Sequence, residues 1–159
     1  MLSRLMFAYV DFAARKGLAA LPVEPSSEES GKKQRARGTG IGGETYAYWY
    51  LRRHGYIVVA KNYRRSGMKG EIDLIGYDGH VLAFVEVKTR SASDAWPAQP
   101  EEAVNFEKRG HLVRMARQFL RERRTDQEPY RFDILAIESR PGARPLVRLH
   151  KGAFGESDN

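Results

Sequence analysis

Residues 70–90 read GEIDLIGYDGHVLAFVEVKTR, and how this stretch pairs with itself decides the fold. Two runs of β-formers, Glu71–Tyr77 and His80–Lys88, flank Asp78-Gly79, a dipeptide that favours a two-residue hairpin loop. With that loop, Tyr77 faces His80, Ile75 faces Leu82, Asp73 faces Phe84 and Glu71 faces Glu86. Directly opposed residues share a sheet face, as do alternate residues along a strand. Glu71, Asp73, Glu86 and Lys88 then project from one side, together with Ile75, Leu82 and Phe84. That side is apolar near the turn and ionic at its far end.

Such a cluster is costly. Opposed like charges destabilise a sheet. Desolvating each carboxylate costs several kcal/mol unless a counter-charge is present. Lys88 alone cannot balance three acids. Carboxylates converging from neighbouring positions can share one hard divalent cation, with Mg²⁺–oxygen distances of about 2.0–2.1 Å.

Outward from the hairpin, GGETYAYWYLRRHG reads as a helix closed by Gly55 in a left-handed cap, with Arg52, Arg53 and His54 suiting its negative end. Glu44, Ala47, Tyr48 and Leu51 follow i, i+3, i+4, i+7, which sets Glu44 at the start of a buried stripe. An acid there also stabilises a helix N-terminus. YIVVAKNYR follows as a strand. After the hairpin, Leu112, Met115, Ala116, Phe119 and Leu120 mark one face of a second helix, and Arg114, Arg117 and Arg121 the other. YRFDILAIES and PLVRLHK read as two last strands. The order predicts an α/β protein with a mixed central sheet flanked by helices.

The chain has 159 residues, 42% of them hydrophobic, which suits one folded domain. Its formal charge of +7 points to a polyanionic partner, nucleic acid before an anionic membrane surface. It has no cysteine, which excludes disulfides and thiolate metal sites and fits a cytoplasmic protein. Its four histidines are scattered, which argues against zinc. No apolar stretch is long enough for a membrane span, so no membrane partner is expected. Residues 1–38 read as a loosely attached extension, a short amphipathic helix followed by a flexible linker with a basic cluster at Lys32, Lys33, Arg35 and Arg37. The folded domain is expected over 39–155, with a disordered tail at 156–159.

These motifs resemble a known family. An acid in a first helix, then an Asp, then Glu-x-Lys on the next strand, then a helix, resembles the PD-(D/E)xK nuclease superfamily. More closely, GGETYAYWYLRRHGYIVVAKNYRR, GEIDLI, AFVEVKTR, EKRGHLVRMARQFL and RFDILAIE resemble the YraN family of predicted endonucleases, related to Holliday-junction resolvases. The likeness runs from Gly40 to the closing KGAF. It implies a restriction-endonuclease-like αβββαββ core. It also implies Asp73 and Glu86 as ligands of Mg²⁺ or Mn²⁺, the Val87 carbonyl as an extra ligand and Glu44 as a further one. Lys88 would orient or activate the attacking water and stabilise charge on the phosphate. The superfamily's proline is absent, since Ile72 precedes Asp73. Glu71 has no clear role there and is expected just outside the ligand set.

The resemblance implies a metal-dependent endonuclease acting on DNA, on branched or recombination intermediates. The alternative is a nucleic-acid- or partner-binding module that keeps the fold without catalysis. Resolvase-like relatives also imply a homodimer, to which Tyr46, Tyr48, Trp49 and Tyr50 could lend aromatic surface. A positive groove is expected from Lys61, Arg64, Arg65, Lys69, Arg90, Arg114 and Arg117, with Trp96 and Tyr63 available to stack on bases.

Overall fold

The computed structural model describes residues 1–15, 42–91, 104–140 and 142–156. They form helices α1 (Leu2–Arg15), α2 (Gly43–Arg53) and α3 (Phe106–Arg123) and strands β1 (Ile57–Tyr63), β2 (Ile72–Asp78), β3 (Val81–Ser91), β4 (Tyr130–Ser139) and β5 (Leu146–Phe154). The five strands make a sheet of order β1-β2-β3-β4-β5. The β3–β4 pair is parallel and the other three pairs are antiparallel. A parallel neighbour requires a crossover, and α3 lies in it. The α/β expectation and the helix–strand order from α2 onward agree with this architecture.

Two apolar layers sandwich the sheet. Leu112, Met115, Ala116 and Phe119 of α3 pack on Ile75, Phe84, Phe132 and Ile134. Ala47 and Leu51 of α2 pack on Leu74, Val85, Leu135 and Ile137 of the opposite face. The helix ends follow local rules. Gly55 adopts φ +91°, and the N–H groups of Gly55 and Tyr56 reach the Arg52 and Leu51 carbonyls, closing α2 in a Schellman motif. Asn105 caps α3 by accepting from the Lys108 N–H at 2.8 Å.

The hairpin differs from its sequence reading in one respect. Asp78 pairs with Val81, Tyr77 with Leu82 and Ile75 with Phe84, so the loop is Gly79-His80. Asp78 stays in the strand because Arg131 and Lys151 each donate to its carboxylate at 2.6 Å. Gly79 supplies the positive φ (+63°) that the turn needs. Each residue of β2 therefore meets a partner two positions further along β3. The parity is kept, so Glu86 and Lys88 still share the face of Phe84.

The expected loose attachment of the N-terminal helix is corrected. Phe7 and Val10 of α1 are buried against α2, and the Tyr46 hydroxyl donates to Asp11 at 3.0 Å. Phe7 also meets Tyr46 and Tyr50 edge to face. Much of the aromatic surplus of α2 is thus covered within the chain. The basic linker, the start of the domain at residue 39, Trp96 and tail residues 157–159 lie outside the described residues. Among the described residues, no helix is long and apolar enough to cross a membrane.

Candidate active site

Four elements bring charge to one end of the sheet. The β2–β3 ladder ends at the Leu74–Val85 pair, so Asp73, rather than Glu71, is the β2 residue that meets the Glu86 charge. Ile72 packs on the α3 side and Leu74 on the α2 side, although two residues apart should share a face. The alternation of β2 therefore breaks at Asp73. Its carboxylate accepts from the Val87 N–H at 2.7 Å. Asp73, Glu86 and Lys88 are 7%, 1% and 8% exposed, a burial that charged side chains rarely reach.

Glu86 takes two lysines on one oxygen. Its Oε1 lies 3.2 Å from Lys88 Nζ and also accepts from Lys108 Nζ of α3. Its Oε2 is buried with no hydrogen-bond partner. Asp73 carries the strain of this arrangement. Burial first, and the Glu86 charge second, push its carboxyl up to about 8, against the opposing pull of the Val87 amide and Lys108. Glu44 adds a smaller push in the same direction.

Glu44 stands on the α2 side, exposed, accepting from Asn62 Nδ2 at 2.5 Å. Asn62 adopts a left-handed φ of +49°, which a short polar side chain tolerates. Gly43, just before Glu44, has no room for a side chain, since a Cβ there would lie 2.1 Å from Thr89 Oγ1. Among the described residues, no group of three or more His, Asp or Glu side chains is arranged to hold a metal ion by itself. The structure thus joins Asp73, Glu86 and Lys88 closely and leaves Glu44 at one side. Glu71 does not face Glu86. It precedes β2 and accepts from Arg64 Nε at 2.6 Å.

The profile of the uncharacterised protein family UPF0102 matches residues 43–137, which holds every residue of this site. The chain belongs to that family. This is the YraN family that the motifs resemble. A UPF0102 protein of Koribacter versatilis is 41% identical over 94% of this chain and 96% of its own length. One of Solibacter usitatus is 47% identical over 70% of this chain and 82% of its own, and one of Symbiobacterium thermophilum is 42% identical over 75% and 98%.

The remaining site candidates of this UPF0102 chain separate. Arg64 and Arg65 line a groove of about 730 Å³ between the β1–β2 connection and the first turns of α3, where Lys108 and His111 stand. Lys69 is exposed on the same connection. Arg64 is paired with Glu71, and Arg65 with Glu122 at 3.1 Å. Such exposed pairs contribute little, so a phosphate can displace them. Arg90 is half-buried near the end of β3, and Arg114 is exposed on α3. Arg117 donates twice to Glu156, nine residues or about 14 Å along the axis from Lys108. Lys61 lies across β1, its ammonium 4.9 Å from the Tyr48 ring. Tyr63 packs on Phe119 and donates to Glu122.

Sequence reasoning missed Lys108. Its signal was present: a lysine in a first helical turn opposes the helix dipole, which favours a nearby carboxylate.

Proposed function

We propose that this chain is a metal-dependent endonuclease that hydrolyses phosphodiester bonds in DNA, with Asp73 and Glu86 holding Mg²⁺ or Mn²⁺. One observation carries the reading. Two buried carboxylates oppose each other, one driven toward its protonated form and the other with an oxygen that has no partner. A purely structural cluster gains nothing from that strain. The donor set fits a hard ion: two carboxylates, the Val87 carbonyl as a further ligand, and water for the rest. Glu44 would act through water rather than directly, given its bond to Asn62.

A bound ion supplies an acidified water and charge at the scissile phosphate. The chain's own residues do the remainder. Lys88 holds a positive charge beside Glu86, placed to orient a nucleophile and offset charge on the phosphate. Lys108 holds Glu86 Oε1 and keeps the pair from being wholly uncompensated. Arg64, Arg65 and Lys69 offer phosphate contacts along the neighbouring groove. The reading implies a cytoplasmic protein. Symmetric cutting would need a homodimer, for which Leu2, Leu5, Tyr9 and Phe12 supply an exposed apolar strip at heptad-like spacing on α1. Sedimentation with and without DNA tests that assembly, and monomer alone at high concentration would count against it.

A second reading has its own support. The two lysines on Glu86 offset part of the acidic charge without an ion, which suits a binding module. A panel of linear, flapped and four-way DNA with Mg²⁺ or Mn²⁺ separates the two. The nuclease reading expects cleavage that falls at least 100-fold in Asp73→Asn and Glu86→Gln, with DNA binding kept. Salt-sensitive binding without cleavage of any substrate would favour the module.

A further inference from the structure

We infer that the pocket between α2 and β1 seats one unpaired nucleobase of a nucleic-acid strand, beside the Asp73–Glu86 pair; the role of its neighbour rests on the nuclease reading. The pocket has a volume of about 270 Å³ and is lined by Glu44, Tyr48, Trp49, Lys61, Asn62 and Leu74. Tyr48 and Trp49 are half-buried and meet edge to face, with centroids 4.9 Å apart and planes at 80°. Consecutive aromatics at the rim of a polar pocket form a corner with π-faces turned in different directions. The Arg52 guanidinium lies 5.6 Å from both rings and also donates to the Tyr48 hydroxyl at 2.8 Å. Aromatic rings and guanidinium planes are the surfaces on which splayed bases stack.

The polar lining narrows the ligand. Glu44 puts a carboxylate into the pocket, which disfavours a free phosphate or an acidic peptide. It accepts hydrogen bonds, as the exocyclic amino groups of adenine, cytosine and guanine require. Lys61 is exposed at the rim and can meet a phosphate. A neutral planar group tied to an anionic backbone satisfies both conditions. A nucleobase in a polynucleotide is such a group.

The place in the fold gives the pocket its use. Lys61 pairs with Leu74 and Tyr63 with Ile72, so Asn62 falls opposite Asp73. The strand that floors the pocket therefore neighbours the strand that carries Asp73, at the ordinary backbone spacing of about 5 Å. Glu44 already acts electrostatically on Asp73 across that gap. A base held on Tyr48 and Trp49 would bring its strand to the β1 edge, next to the strand that carries Asp73. Fully paired DNA cannot offer that base, whereas single strands, flaps and open junctions can.

The test uses the full chain with Trp96→Phe, which leaves Trp49 as its sole tryptophan. In EDTA, single-stranded DNA should quench Trp49 emission, and an abasic strand of equal length should not. By anisotropy of a labelled strand, Trp49→Ala should weaken single-strand binding about 10-fold or more. Trp49→Phe should restore most of it, and paired duplex should bind all variants alike. Equal quenching by abasic strands, or equal loss on duplex and single strand, overturns the pocket. Base-dependent quenching in a protein that never cuts supports the pocket and overturns the nuclease reading. Cutting without base-dependent quenching does the reverse.

Discussion

The sheet buries acid at two places, and they are built in opposite ways. Asp133, on β4, is fully buried, and both of its carboxylate oxygens accept hydrogen bonds. Its Oδ1 accepts from Arg131 Nε and from the Gly152 N–H, each at 2.9 Å. Arg131 continues to Asp78 at 2.6 Å and to the Tyr56 hydroxyl at 3.0 Å. The β4–β5 register shifts between Phe132 and Ile134, an irregularity that accompanies the turn of Gly152 toward Asp133. Asp73 and Glu86, two strands and one strand away, have lysines enough for one oxygen and repel each other over the rest. Asp133 is saturated and holds the fold together, whereas Glu86 keeps a buried oxygen without a hydrogen-bond partner, as the proposed metal site requires.

Mutation should break this contrast most visibly at Asp133. Asp133→Ala leaves Arg131 short of its buried partner, and we expect a loss of about 3–5 kcal/mol in urea unfolding. Asp73→Asn should instead stabilise the protein in EDTA at pH 8, because the amide can still accept from Val87 while the repulsion is gone. If the two substitutions cost the same, the contrast fails.

The pH dependence sharpens it. Folded Asp73 keeps its proton to about 8, whereas in the unfolded chain it loses it near 3.8. Between those values folding takes up a proton, so wild-type stability must fall as pH rises through that window. Thermal melts from pH 5 to 9 in EDTA should show wild type losing more than about 1 kcal/mol relative to Asp73→Asn, the equivalent of one pKa unit. Mg²⁺ should remove much of that descent by binding the ionised pair. Parallel curves would show that the pair is not strained.

A smaller effect is expected at the helix that carries Lys108. Asn105→Ala removes the cap and should cost about 1 kcal/mol. It should also narrow the stability gap between wild type and Glu86→Gln, since Lys108 then holds Glu86 less firmly. The smallest effect separates two arginines. Arg114→Ala should lower the salt slope of DNA binding by about one if that face meets the backbone. Arg117→Ala should lower it less, because a phosphate must first displace the two hydrogen bonds that its guanidinium makes to Glu156.

Periodicity made most of the fold legible. Leu112, Met115, Ala116, Phe119 and Leu120 are all buried, and YRFDILAIES is β4 to the residue. The register of the hairpin was less legible, because Asp78 is kept out of the loop by Arg131 and Lys151, 53 and 73 residues downstream. A local turn preference of this kind yields to distant charge. The stripe proposed for α2 was rotated for a related reason. Tyr46 rather than Tyr48 is buried, since α1 supplies Asp11 and Phe7 to receive it. In the candidate site, Glu86 and Lys88 could be grouped from strand parity, whereas Asp73 joins them where the alternation of β2 breaks and Glu71, grouped by the same parity, does not. Lys108 and Asn62 could not be grouped so, because their places depend on a helix cap and on a left-handed residue near the end of an edge strand.

The contact between Gly43 and Thr89 sets a tolerance for the whole arrangement. A Cβ on Gly43 would fall 2.1 Å from Thr89 Oγ1, so the start of α2 rests directly on a side chain of β3, the strand that carries Glu86 and Lys88. Glu44, Tyr48 and Trp49 ride on that helix, while the acids opposite them ride on the sheet. A methyl group at residue 43 would lift the helix and its aromatic corner as one body without touching Asp73 or Glu86. If the proposed pocket grips a strand and the proposed site cuts it, the gauge between the two is fixed by the absence of a side chain, and Gly43→Ala should move a cleavage position or blur it before it abolishes cutting.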